Sequence, residues 1–307
     1  MKCAKKFAVL CVFLSSLLAS RSALAQDTTG SIAGTVFDAN GAAVANATVT
    51  ATNTDKNAVI RIVKTDDRGG YVLSLLPVGH YSVSAEANGF KKAERTQMMV
   101  NVHDQLTANF NLEVGTLNEV VTVNAGALHV ETQTATQGGL VSPTEMHQLP
   151  LNTRNFVQFV TLMPGVSTSS GVDTFYIGNS LPSGTTATIP FYFDGNRNST
   201  SYWTLDGADN IDRGSDLTLL DYPSVDAIDE FKVLRGQYDP EFGRSAGAQI
   251  TVVTKSGSSQ YHGDGYEFFR NDVLQANNFF LNKTHTPRPP LRYNDFGYTF
   301  GGPLFIP

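Results

Sequence analysis

Gly243-Arg244-Ser245-Ala246-Gly247 has the spacing G-x-S-x-G, the pattern of a turn that raises a strained serine as a nucleophile. Such a turn needs a strand before the serine, a helix after it and a histidine base within reach. The residues that follow, Ala248 to Thr254, alternate as a strand does instead. The glycines are therefore expected to make turns, and no catalytic residue is expected. Zinc chemistry fares no better. None of the six histidines, His80, His103, His129, His147, His262 and His285, has a glutamate three residues on, so no helical ligand pair is offered. Asp206, Asp209, Asp212 and Asp216 make the most acidic loop, with oxygens that could gather calcium. The D-x-D-x-D-G spacing and the closing glutamate of an EF-hand loop are missing. Asp206, Asp209 and Asp212 thus stand as weak calcium candidates beside an ordinary solvated turn. No enzyme activity and no cofactor are expected.

The elements that must position these residues are mostly strands. In Ala227 to Lys255, Phe231 and Val233, then Ile250 and Val252, alternate with polar neighbours, which predicts two half-buried strands. Gly236, Gly243 and Gly247 punctuate the connection. Upstream, Gly30 to Val114 carries turn signals at short, regular spacing, the form of a β-sandwich. Ser31 to Phe37 opens it, Asp38 to Gly41 turns, and Ala47 to Thr52 follows. Val59, Arg61 and Val63 are expected on one face of the next strand, with Ile60 and Ile62 on the other. Tyr71, Leu73 and Leu75 are expected to share a face, as are Tyr81, Val83 and Ala85. The final strand, Leu106-x-Ala108-x-Phe110-x-Leu112, has an unbroken period of two.

Between these regions, Leu149-Pro150-Leu151-Asn152-Thr153-Arg154-Asn155 precedes Phe156, Phe159, Val160 and Met163 at helical spacing. Pro150 restricts Leu149 to extended geometry. A short helix capped by Asn152 or Thr153 is predicted, ended by Pro164-Gly165. Beyond Lys255 the aromatics gather: Tyr266, Phe268, Phe269, Phe279, Phe280, Tyr293, Phe296, Tyr298 and Phe300. Alternating aromatic strands suit an outer-membrane wall. His262 to Asp272 is expected as one strand and Asn294 to Pro303 as a second; a soluble aromatic-rich β domain is the alternative.

Met1 to Lys6 carries three lysines, Phe7 to Leu18 is an apolar run interrupted only by Ser15 and Ser16, and Ala23-Leu24-Ala25 precedes Gln26. This reads as a secretory signal peptide cleaved after Ala25. Both cysteines, Cys3 and Cys11, lie within it. Cleavage removes Lys2, Lys5, Lys6 and Arg21, making a formal net charge of −6 four units more negative. Nucleic acid is thereby a poor partner.

Two family resemblances fit these observations. GSIAGTVFDANGAAVANATVTATN and TDDRGGYVLSLLPVGHYSVSAEANGF, with the final strand, resemble a carboxypeptidase regulatory-like domain, a transthyretin-like sandwich of about seven strands. The resemblance extends to no catalytic zinc site. The downstream motifs, Leu149, Pro150, Asn152, Arg154, Asn155, Pro164, Gly165, Asp206, Gly207, Arg235, Gly236, Gly243, Arg244 and Gly247, resemble the plug of Oar-like TonB-dependent outer-membrane receptors. In the plug's Gly-Gln-Arg element, Gly195-Asn196-Arg197 departs from the family. Just ahead of the plug, Glu119, Val120, Val121, Thr122 and Val123 are similar to a TonB box, with an ordinary linker strand as the alternative. Such a β-branched run can add to a partner's sheet edge.

The fold class implied is mainly β. Residues 1–25 form the signal peptide, 27–114 a seven-stranded sandwich, 115–124 a box-like linker, 125–255 an α+β plug, and 256–307 the first strands of a membrane barrel. Two strands cannot close a barrel, so an N-terminal fragment is expected. The resemblance implies outer-membrane transport of an unidentified large or scarce solute, with a TonB-type periplasmic energising protein and outer-membrane lipid as partners. A secreted binding or adhesion module without transport activity is the second reading. Under either, an oligosaccharide or a peptide is an open choice of ligand. Trp203, the one tryptophan, lies outside the sandwich and offers it no stacking platform.

Overall fold

The computed structural model describes residues 28–115, 120–124 (backbone), 136–149, 151, 154–168, 191–238 and 242–303. The signal peptide, Glu119, Pro150, Asn152 and Thr153 lie outside the described residues. The sandwich is built from β1 (Thr29–Asp38), β2 (Thr48–Asn53), β3 (Ala58–Lys64), β4 (Gly70–Pro77), β5 (Gly79–Glu86), β6 (Lys92–Val100), β7 (Gln105–Thr107) and β8 (Phe110–Leu112). One four-stranded sheet runs β4-β1-β7, with β8 also on β1. The facing sheet runs β3-β2-β5-β6 and ends on β9 (Val120–Asn124). Ile32, Val36, Val49, Leu73, Tyr81 and Val83 are fully buried between the two sheets, as alternation along the strands requires.

Three details depart from the expected alternation. The last strand is two short pieces, β7 and β8, both parallel to β1. Leu106, Ala108, Phe110 and Leu112 stay buried through the break. In β4, Leu75 has φ +58° and is half exposed, while Leu76 is buried. A left-handed residue inserted opposite the register shift between Gly30 and Ile32 moves the inward face on by one position. In β3 a similar shift against β2, between Ala51 and Thr52, leaves Val59 and Ile62 exposed while Ile60 and Val63 pack on the core. Val59, Arg61 and Val63 therefore do not share a face.

The second unit is a five-stranded mixed sheet in the order β10-β15-β16-β13-β14. Its strands are β10 (Gln137–Val141), β13 (Tyr202–Leu205), β14 (Ala208–Asp209), β15 (Ile228–Arg235) and β16 (Ala248–Thr254). A separate two-stranded ribbon joins β11 (Val166–Thr168) to β12 (Phe191–Phe193). The helix α1 (Pro143–Gln148) opens on a capping box between Ser142 and Glu145, satisfying otherwise orphaned N–H groups. The Phe156–Leu162 segment is a 3₁₀ helix rather than α, and its cap is Asn155, whose side chain accepts from the Val157 amide at 3.1 Å. Phe156, Phe159, Trp203, Phe231 and Ile250 form the core of this unit. Phe231 meets Phe156, Phe159 and Trp203 at centroid distances of 6.0–6.4 Å, within the range of favourable aromatic contact.

Last come β17 (His262–Asn271) and β18 (Arg292–Gly301), an antiparallel pair in continuous register from His262↔Gly301 to Asn271↔Arg292. A short helix, α2 (Phe279–Lys283), lies in the connection. The first matches the expected strand to within one residue, and the second begins and ends two residues earlier than expected. Phe296, Tyr298 and Phe300 on β18 are each at least 74% exposed, and Asp295, Gly297 and Thr299 point the other way. No helix of the described residues is long and apolar enough to cross a membrane, which says nothing of a β-barrel.

Candidate functional site

The two faces of the plug-like sheet differ in chemistry, and strand period puts them there. Phe231 and Val233 on β15, and Ile250 and Val252 on β16, point into the aromatic core. Their neighbours Glu230, Lys232, Gln249 and Thr251 take the other face, and it too is buried: Glu230 and Thr251 are each 1% exposed. The expected half-buried strands are thus covered on both sides. The polar cover is the sandwich turn Asn101–Asp104. The Val102 amide donates to Glu230 Oε2 at 2.9 Å, and Lys232 Nζ donates to the Val102 carbonyl and to Asp104 Oδ1 at 2.6 Å each. His103 Nε2 lies 3.2 Å from Thr251 Oγ1, and its ring stands edge-on to Phe242 at 4.5 Å.

Burial dominates the electrostatics of this joint. It pushes the Glu230 carboxyl up to about 7, with Asp229 and Asp104 adding repulsion against the opposing Val102 amide and Lys232. It also holds the His103 imidazole down to about 4, helped by Lys232 and opposed by Asp104. Both follow from the cost of a charge out of water. A cavity of about 420 Å³ opens beside the joint, lined by Ser31, Leu75, His103, Thr204, Phe242 and Gln249 among others. The joint's charged residues escaped the sequence reading. The available signal was Glu230 and Lys232 alternating with Phe231 and Val233 inside one strand, which says that both faces are specified but not what covers them.

The plug motif residues fall into separate clusters. Arg154, in left-handed geometry and buried, pairs with Asp226 at 3.0 Å and sets its guanidinium 3.8 Å from the centre of the Phe268 ring on β17. His147 Nδ1 approaches the same carboxylate at 3.2 Å. Arg235 Nη1 donates to Asp194 Oδ1 at 2.7 Å, and both atoms crowd Gly165, which has φ +77°. A side chain there would collide as well as strain the backbone. Leu149 caps α1, donating its amide to the Glu145 carbonyl. Pro164 precedes Gly165 in the turn that ends the 3₁₀ helix, and Gly236, at φ +68°, follows β15. Gly247 donates to the Thr200 carbonyl at 3.0 Å, and Gly243 has open space where a Cβ would be. Arg244 is exposed, its Nη1 4.0 Å from Asp209. Ser245 is followed by β16, not by a helix, and its hydroxyl pairs with Tyr238 at 2.7 Å.

Asp206 and Gly207 have φ of +49° and +78°, as the two central residues of a tight β13–β14 hairpin turn require. Both Asp206 oxygens are engaged by Thr254, from its amide at 2.8 Å and its hydroxyl at 2.7 Å. Asp212 caps its own loop, accepting from Gly214 and Ser215, and these hydrogen bonds hold its carboxyl below the usual range. Asp209 pairs with Arg213. Among the described residues, no three acidic, histidine or cysteine side chains converge on a metal position. We expect Asp206→Ala to cost roughly 1–2 kcal/mol, since it removes two hydrogen bonds and a residue that tolerates left-handed geometry. Urea denaturation should show it, and Asp206→Asn should recover part of the loss.

The box-like segment is seen as backbone. Val120–Asn124, as β9, pairs in parallel with β6, from Lys92↔Val120 to Thr96↔Asn124. The β17–β18 pair touches the plug-like unit through Ser224 Oγ and Tyr266 OH at 3.0 Å, besides Arg154 and Phe268.

Comparison with known proteins agrees with this arrangement. A "Carboxypeptidase regulatory-like domain" matches residues 31–113, and an "Outer membrane beta barrel domain" matches residues 253–306. Over 306 residues, 95% of the chain, the sequence is 27% identical to the TonB-dependent transporter Oar of Myxococcus xanthus, and it spans 27% of that protein. Among solved structures, the siderophore receptor PirA from Acinetobacter baumannii aligns with 54% of this chain and 22% of its own, at 19% identity and a TM-score of 0.38. The 5-hydroxyisourate hydrolase of Klebsiella pneumoniae aligns with 28% of this chain and 92% of its own, at 19% identity and a TM-score of 0.24. Neither structural likeness is close enough to carry an argument. The sequence match shows that the chain is similar to Oar along nearly its whole length, as its motifs imply.

Proposed function

We propose that this relative of TonB-dependent transporters supplies the periplasmic sandwich, the plug and the first barrel strands of an outer-membrane importer. The observation that carries the reading is the order of parts in one chain. A carboxypeptidase regulatory-like match, a mixed sheet holding the plug motifs, and a hairpin of alternating aromatics under an outer-membrane barrel match follow one another. Phe296, Tyr298 and Phe300 would face lipid. The solute is a large or scarce one, drawn in on energy delivered by a TonB-type periplasmic protein. That partner would bind Glu119 to Val123 by adding a strand, through backbone hydrogen bonds rather than side-chain chemistry.

Val121→Pro tests this directly, because proline removes a backbone donor from the run. The variant chain should bind the C-terminal domain of a TonB-type protein at least about tenfold more weakly than wild type. Equal binding would remove this segment as the box.

A further inference from the structure

We propose that the β6 edge of the sandwich is a strand-binding surface for the chain's own Val120–Asn124. The sandwich and the TonB-type partner would then compete for one segment by strand exchange. The inference rests on the box reading of that segment given above.

The observation is the parallel ladder between Lys92–Thr96 and Val120–Asn124. It makes β9 the terminal strand of the sheet β3-β2-β5-β6-β9. A strand's two sides each carry a row of amides and carbonyls, and β9 has one of its rows committed to β6. Five residues of short, parallel pairing make a weak attachment compared with the antiparallel β5–β6 pairing, which runs from Gly79↔Val100 to Ala85↔Ala93.

The sequences of the two strands suit such an exchange. The facing part of β6 reads Lys92-Ala93-Glu94-Arg95-Thr96, and charges of this kind protect a sheet edge from unwanted pairing. With β9 gone, β6 would remain a protected edge, its Lys92 still paired to Glu86 at 2.8 Å. Val120-Val121-Thr122-Val123 has no charge at all. Free in the periplasm, an uncharged β-branched run of this sort invites aggregation. It needs a sheet to lie on, and the sandwich supplies one until the partner does. The apparent affinity of the partner then falls by the fraction of chains in which β9 is released.

A disulfide between β6 and β9 tests the exchange. Glu94 and Thr122 are register partners, close enough for a disulfide in a ladder of this spacing. The chain from Gln26 onward contains neither Cys3 nor Cys11, so Glu94→Cys with Thr122→Cys introduces the sole thiols. The oxidised chain should bind the TonB-type C-terminal domain at least about tenfold more weakly than the same chain reduced, and reductant should restore binding. Equal binding in both redox states would overturn the exchange, since the partner could then engage β9 in place. Failure of the two cysteines to link would overturn the pairing itself. Val121→Pro binding the partner as tightly as wild type would overturn the box reading and with it the competition, whether or not the disulfide forms. The ladder would then be an ordinary linker strand.

Discussion

Arg154→Met should destabilise the plug-like unit by about 3–5 kcal/mol, the cost of leaving a buried carboxylate without its partner. Arg154 and Asp226 are 5% and 6% exposed, and their 3.0 Å contact is the strongest charge pairing that Asp226 has. His147, on α1, stays within 3.2 Å of the other oxygen but is itself more than one-third exposed. It offers a weaker, solvent-screened substitute. The same guanidinium covers Phe268, so the substitution should also loosen β17 from the plug-like unit. Arg154→Lys keeps the charge and loses the planar stack over the ring; its loss should be intermediate. Arg154→Met combined with Asp226→Leu removes both charges and should recover most of the stability. Urea denaturation measures the first effect. Faster tryptic cleavage at Arg270, Lys283 and Arg288 reports the second. A loss below about 1 kcal/mol for Arg154→Met would mean that Asp226 reaches water despite its burial.

The sandwich was legible in the sequence because its signals are local. Period-two runs such as Tyr81, Val83 and Ala85, and turns such as Asp38 to Gly41, each settle one strand or one reversal. What was not legible is where the period slips. Leu75 in left-handed geometry and the shift between Ala51 and Thr52 are decided by cross-strand pairing, which no single strand encodes. The same division holds at the plug-like unit. Arg154, Arg235 and Asp206 stand out as motif residues, yet their partners Asp226, Asp194 and Thr254 lie 72, 41 and 48 positions away. The capping box Ser142-Pro143-Thr144-Glu145 was available to a local reading and marks α1. Glu230 and Lys232 could be placed on a face, but only the fold brings the Val102 turn onto them, 128 and 130 residues distant.

That joint should answer to pH in two opposing directions, which substitutions can separate. Glu230 keeps its proton up to about pH 7 in the folded chain and loses it near 4.5 when unfolded. Folding therefore holds a proton across that window, and stability falls as the pH rises through it, by on the order of 3 kcal/mol in total. His103 runs the other way. Its folded value of about 4 lies below the ordinary 6.5, so the unfolded chain holds the extra proton and stability rises with pH across that range by a similar amount. In the wild type the two should nearly cancel from about pH 4.5 to 6.5, leaving only the last part of the Glu230 loss above it. Glu230→Gln removes the falling component, so the joint should tighten steadily from pH 4 to 6.5 and then level off. His103→Asn removes the rising one and should leave a joint that loosens up to neutrality. The Val102 amide, which donates to Glu230, is the natural reporter: its hydrogen-exchange protection, corrected for the intrinsic rate at each pH, follows opening of the joint alone. Matching pH profiles for wild type and both variants would show that the turn and the sheet are not held together by this buried network.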